Sequence, residues 1–259
     1  MLPADSILRK LPATANLEQR IRLEALVFVA DTISHAFRGL REITTRLGPK
    51  ITNLTFQDRA ALFSHAWTII DQVHAARLLL RSHLRGKFGP NQKAFFDKYA
   101  AVHTLRNKMD HLNQNIANAA KQKGIAWPLF GVLSYFFVES HQCVQTEVGL
   151  SIKGGTIITI TSGIPIQRPN TALVLANPAG RAIQVPVSLF TFGAFGMTFD
   201  IDGAAIDFAA VLNFASQNID RKLREQVAKT AKETGIAVDT LMAPALANLV
   251  FEMDFIFDE

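Results

Sequence analysis

Over the first 122 residues, apolar positions recur every three or four places, the spacing that turns one face of a helix toward a core. The first stretch covers Leu17 to Leu47 and stops at Gly48-Pro49, a left-handed cap followed by a residue that cannot continue a helix. A second starts at Thr55, whose hydroxyl caps the helix together with Asp58 three residues on. It passes through Trp67, Ile70, Val73 and Leu80 to Gly86. The third follows Gly89-Pro90 and is expected as one helix from Gln92 to Gln122. Each covers about thirty residues, or roughly 45 Å if straight, the length of a bundle helix.

The period then shortens. From Trp127 to Asp200 the chain is rich in β-branched residues, phenylalanine and glycine, and breaks into short runs. Leu129–Glu139, Val144–Ile152 and Thr156–Thr161 read as strands, with Lys153-Gly154-Gly155 as a hairpin turn between the last two. Leu173–Ala176 and Ile183–Leu189 read as a second hairpin, and Phe190–Phe199 as one glycine-interrupted strand. Helical spacing returns from Ala204 to Thr234 through Phe208, Val211, Leu212, Ala215, Ile219, Leu223 and Val227. A weakly alternating tail, Val250 to Asp258, could add an edge strand. The expected protein is α+β in three stretches. A basic helical bundle covers residues 1–125 and an antiparallel β-rich segment 126–203. A long helix returning to the bundle, plus the C-terminal tail, covers 204–259.

Composition changes this picture little. An apolar fraction of 49% with 19% charged residues supports a sizeable core and excludes a disordered chain. The lone cysteine, Cys143, excludes an internal disulfide and a cysteine-rich zinc site. No apolar run reaches the roughly 18–20 residues of a membrane span, and the N-terminal stretch lacks a signal-peptide core. A cytoplasmic protein without membrane attachment, metal or cofactor is expected. Charge is unevenly placed. Residues 1–125 carry 19 Lys+Arg against 9 Asp+Glu, a balance of +10, while residues 126–259 carry 8 against 13, a balance of −5. The helical half could face a polyanion, or the two halves could hold each other by opposite charge.

The most distinctive polar cluster lies on the third helix. At about 100° per residue, Val102, Leu105, Met109, Leu112 and Ile116 form its core stripe. His103, Arg106, Asn107, Asp110, His111 and Gln114 fill a neighbouring arc. A merely solvated face favours Lys and Glu, whereas this arc is built of directional hydrogen-bonding groups. The same residues fit a structural reading: Arg106 and Asp110 make an i,i+4 pair worth a few tenths of a kcal/mol, and Asn107 and His111 could bond a neighbouring helix. His65, His74 and His83, nine residues apart, face alternate sides of the second helix and cannot share a metal. Asp71 and His74, one turn apart, read as a satisfied structural pair, or could support the third helix across the bundle. Asp200, Asp202 and Asp207 precede or open the last helix, where carboxylates favour the helix dipole, and Asp202 reads as a cap or turn residue.

Arg106-Asn107-Lys108-Met109-Asp110-His111 resembles the R-x(4–6)-H motif of the HEPN superfamily, with a polar residue directly after the arginine and the motif on the third main helix. Arg59 with His65, and Arg77 with His83, fit the bare spacing but lack the adjacent asparagine and the polar arc. The resemblance implies a helical bundle, a metal-independent endoribonuclease or RNA-binding activity in a bacterial-type defence or toxin–antitoxin system, and a site shared across a homodimer. It gives Arg106 and His111 the central roles, with Asn107 orienting His111 and His103 or Asp110 assisting. The chemistry is simple: an imidazole, which ordinarily titrates near pH 6.5, takes the 2′-hydroxyl proton, and a guanidinium grips the phosphate. On a regular helix the two lie about 140° apart, so two copies of the chain are expected to complete one site. The alternative is a non-catalytic module, such as an antitoxin-like subunit bound to an inhibitory or other partner protein, in which the motif is structural and the β-rich face makes the contacts.

Overall fold

The computed structural model of the chain describes residues 2–4, 6–9, 11–12, 16–84, 90–121, 130–146, 149–163 and 184–242. The first two helices are as the periodicity predicts: α1, Leu17–Leu47, and α2, Phe56–Leu84. Asn16 Oδ1 caps α1 by accepting from Gln19 N–H, and Gly48 at φ 65° ends it. At the start of α2, Thr55 Oγ1 accepts from Asp58 N–H at 3.0 Å while the Asp58 carboxylate takes Thr55 N–H in return. The two helices lie side by side and bury Leu26, Ile33, Leu40, Leu62, Ile69 and Ile70. Each such side chain contributes about 1.5–3 kcal/mol on leaving water.

The single long third helix is not formed. Its place is taken by α3, Pro90–Lys98, α4, Ala101–Asp110, and α5, Leu112–Lys121. At the first break Tyr99 Oη and Lys98 Nζ both donate to Asp207, at 2.6 and 2.7 Å, turning the chain end toward the last long helix. At the second, Asn115 Nδ2 donates to the Lys108 carbonyl, which an unbroken helix would offer to Leu112 N–H. The predicted core stripe fades with the helix: Val102 and Leu105 are fully buried, but Ile116 is 46% exposed.

A four-stranded antiparallel sheet has the order β4-β1-β5-β6, built from β1, Val132–Phe137, β4, Thr156–Thr161, β5, Val187–Ala194, and β6, Met197–Asp200. Four strand expectations change. Of the expected strand Ile183–Leu189, residues 184–186 are not strand, and Val187–Leu189 runs on to Ala194 as β5. Val144–Ile152 is two strands, β2, Cys143–Thr146, and β3, Gly149–Ile152, which pair as a separate ribbon. Lys153-Gly154-Gly155 is therefore a connection between sheets, because β4 pairs with β1 instead of β3. Phe190–Phe199 is a hairpin: Phe195 and Gly196 at φ 51° and 75° form the two-residue turn whose twist suits antiparallel strands. The Leu173–Ala176 strand, the Asn177–Gly180 turn and the C-terminal tail lie outside the described residues.

The chain then enters α6, Ile201–Thr234, and closes with the short α7, Val238–Leu241. Asp200, and not Asp202, is the cap of α6, accepting from Gly203 N–H at 2.9 Å. Asp202 is buried, and its carboxylate takes the Phe190 N–H next to Leu189, a residue at φ 58° where the β1–β5 register shifts. Strand β5 is buried at every position. One cluster of buried side chains joins α1 and α2 to the sheet and α6, with Phe190, Phe192, Tyr135 and Phe208 among its largest members. No described helix is long and apolar enough to cross a membrane.

Candidate functional site

Helix α4 lies against α2 through Val102 and Leu105, which fixes its polar arc beside one face of α2. Arg106, at 39% side-chain exposure, is the hub. Its guanidinium sits 3.6 Å from Asp71 of α2 and 3.5 Å from Asp110 one turn along α4. Burial is the main influence on Asp71 and raises its carboxyl above the ordinary range, against the pull of Arg106 and with a further push from Asp110.

The histidines are arranged differently from the expectation. Asn107 Nδ2 lies 3.2 Å from His103 Nε2, so Asn107 orients His103 and not His111. The His103 ring in turn stacks on His74 of α2, centroids 5.4 Å apart at 27°. Burial first, then the neighbouring His103, Arg106 and Arg77, lowers the His74 pKa and favours the neutral ring. His74 Nδ1 is buried with no hydrogen-bond partner among the described residues. Asp71 and His74 thus support α4 across the bundle through Arg106 and His103, rather than pairing with each other.

His111 is the residue at which α4 ends, with φ −99° and ψ 36°. Its N–H bonds Asn107 O at 3.1 Å, and its exposed side chain borders a small cleft of about 240 Å³ with Asp110, Asn113 and Gln114. The break, invisible in the sequence because no glycine or proline marks it, gives His111 a direction that helical arithmetic does not supply. Lys108, outside the polar arc, is no passive neighbour: it donates to Phe195 O at 3.3 Å and lies over the Phe195 ring. It ties α4 to the β5–β6 turn.

Beside this cluster lies a feature the sequence reading passed over. Phe56, Ala60, Phe63, Trp67 and Asp71 form one stripe of α2 and, with Met109 and Phe130, wall a groove of about 580 Å³. The signal was present: helical spacing puts Phe56 on the same stripe as Trp67, yet Phe56 is 89% exposed at the helix start. A larger cavity, about 1000 Å³, lies elsewhere, between α1 and α6. Arg41 at its wall is committed to Gln184 and to Val187 O, the latter at 2.7 Å. Among the described residues, no three His, Cys, Asp or Glu side chains converge as a metal would need. The chain matches no family model, no curated protein and no solved structure.

Proposed function

We propose that the protein is a HEPN-like, metal-independent endoribonuclease or RNA-binding protein of a bacterial-type defence or toxin system, acting as a homodimer around Arg106 and His111. The observation that carries this reading is on α4: a guanidinium in mid-helix and a histidine at the helix end, five residues apart in sequence and neither of them buried, with Asn107 and His103 on the same exposed stretch. An RNA phosphate can replace one of the two surface carboxylates at Arg106, since both pairs are long and half-exposed. His111 then takes the proton from a 2′-hydroxyl, whose oxygen attacks the adjacent phosphorus. The bond to the 5′-oxygen breaks, leaving a 2′,3′-cyclic phosphate; the departing oxygen takes a proton from water, and His111 returns the proton it took to solvent. Arg106 offsets the charge that builds on the phosphoryl oxygens.

Asp71 and Asp110 keep the guanidinium in place when no RNA is bound. His111 points from a helix end, and the partner copy supplies the arginine that faces it. A mixing experiment tests this arrangement. Arg106→Ala and His111→Ala proteins, each inactive alone, are unfolded together, refolded and assayed. Random pairing should return about a quarter of wild-type cleavage, from the one intact site in each mixed dimer. A mixture as inactive as its components sinks the shared site.

A further inference from the structure

The groove beside Arg106 has the makings of a ligand site and not simply of a gap in packing. Phe56 and Phe130 stand at its mouth, 89% and 43% exposed, while Phe63 and Trp67 are almost fully buried. Trp67 is held rigidly: its Nε1 donates to Phe130 O at 3.1 Å, and its ring packs edge-on against Phe192 at 5.1 Å. Two flat rings thus stand open to solvent above an ordered aromatic base.

Polar groups sit where an apolar partner would not want them. Arg59 and Ser162 both line the groove, and Arg59 Nε and Ser162 Oγ are buried without a hydrogen-bond partner among the described residues. A cation and a hydroxyl among the lining residues favour a ligand that carries hydrogen-bond acceptors over an aliphatic surface. Asp71 also lines the groove and supplies an acceptor, and the same carboxylate contacts Arg106. Donors, an acceptor and stacking rings together describe the edge and faces of a nucleobase.

We infer that this groove binds a nucleobase of single-stranded RNA. The base stacks on Phe56 and Phe130, an acceptor on its ring edge meets the Arg59 guanidinium, and an exocyclic amino group donates to Asp71. The inference rests on the RNA reading given above, because Asp71 is what joins the groove to Arg106. A base seated there brings its own backbone phosphate toward that guanidinium. The groove is thereby a selector of unpaired RNA, since a base held in a duplex cannot enter it.

The test uses the full-length protein in EDTA and two ligands with the same phosphates: an adenosine decamer, and a decamer of abasic ribose phosphate. Binding is read by fluorescence anisotropy, apart from cleavage, in a His111→Ala background. The decamer with bases should bind about tenfold or more tightly than the abasic one, the usual scale of aromatic stacking. Phe56→Ala should remove most of that preference, and because Phe56 is almost fully exposed the fold is left intact. Arg59→Ala should weaken the adenosine decamer further. Equal binding of both decamers, or a preference untouched by Phe56→Ala, overturns the groove assignment while leaving cleavage by Arg106 and His111 open to its own assay. If neither decamer binds and the protein with His111 intact cleaves no RNA, both readings fall, and the groove is a contact surface for protein.

Discussion

Arg106 of α4 and Asp71 of α2 meet at 3.6 Å, and through that contact the polar arc of one helix is joined to the aromatic groove of the other. The pair is half-exposed, so its value as a tie is at most about 1 kcal/mol. Its consequence is positional: Arg106 is held at the surface, beside His103 and one helix end from His111.

Asp71 itself is not comfortable as an anion. Burial raises its carboxyl above the ordinary value, so the folded state holds the proton more tightly than the unfolded chain does. That contribution to stability is present at low pH and is lost as pH rises through the carboxylate range. Asp71→Asn, neutral and of the same shape, should remove this slope and unfold at pH 7 at the same or a higher urea concentration than wild type. A clearly lower midpoint for the variant would show that the ion pair dominates instead.

His74 predicts the opposite trend. Its pKa is lowered below the ordinary 6.5 by burial and by the charges around it, so the unfolded chain binds its proton first. Stability is intact above pH 6.5 and declines as pH falls through and below that value. His65, also lowered chiefly by burial, acts in the same direction, so the informative quantity is a difference. The gap in unfolding midpoint between wild type and His74→Gln should shift against wild type between pH 7.5 and 5.5. Parallel curves for the two proteins would contradict the buried, neutral ring.

The two aspartates at the start of α6 separate by role. Asp200→Ala removes an N-cap and should cost about 1 kcal/mol. Asp202→Ala strands the Phe190 N–H in the core and should cost more, roughly 2–3 kcal/mol, because the bond it removes is buried and charge-assisted. Urea denaturation that ranks the two the other way would return the cap to Asp202.

The sequence carried α1, α2 and α6 because their signals are local: apolar residues at helical spacing, closed by Asn16 or Thr55 at one end and Gly48 or Gly235 at the other. It failed where distant groups decide. The break at Tyr99 depends on Asp207, 108 residues away, and the pairing of β4 with β1 instead of β3 depends on the whole sheet. The β5–β6 hairpin was hidden because Phe195, a residue that rarely takes positive φ, occupies a turn position usually filled by Asn or Gly. At the site, Arg106, His103, Asn107 and Asp110 do share one exposed stretch, as the helical wheel indicated. The Asn107–His103 bond and the turn at His111 were beyond reach, since both follow from where the helix ends.

Cleavage of single-stranded RNA in the presence of EDTA tests the central claim most directly. Wild type should cut, releasing 2′,3′-cyclic phosphate ends. His111→Ala should lose about 10²–10⁴-fold in rate, as removal of a positioned proton acceptor does. Arg106→Ala should fall comparably, and both should stay folded, within about 1 kcal/mol of wild type, because neither side chain is buried. Lys222→Ala, exposed on α6, is the control; Lys108 is unsuitable because it anchors the Phe195 turn. Full activity in the His111→Ala and Arg106→Ala proteins, or no cleavage by wild type together with early melting of both variants, would contradict the account and leave the pair as structural ties in a protein-binding module.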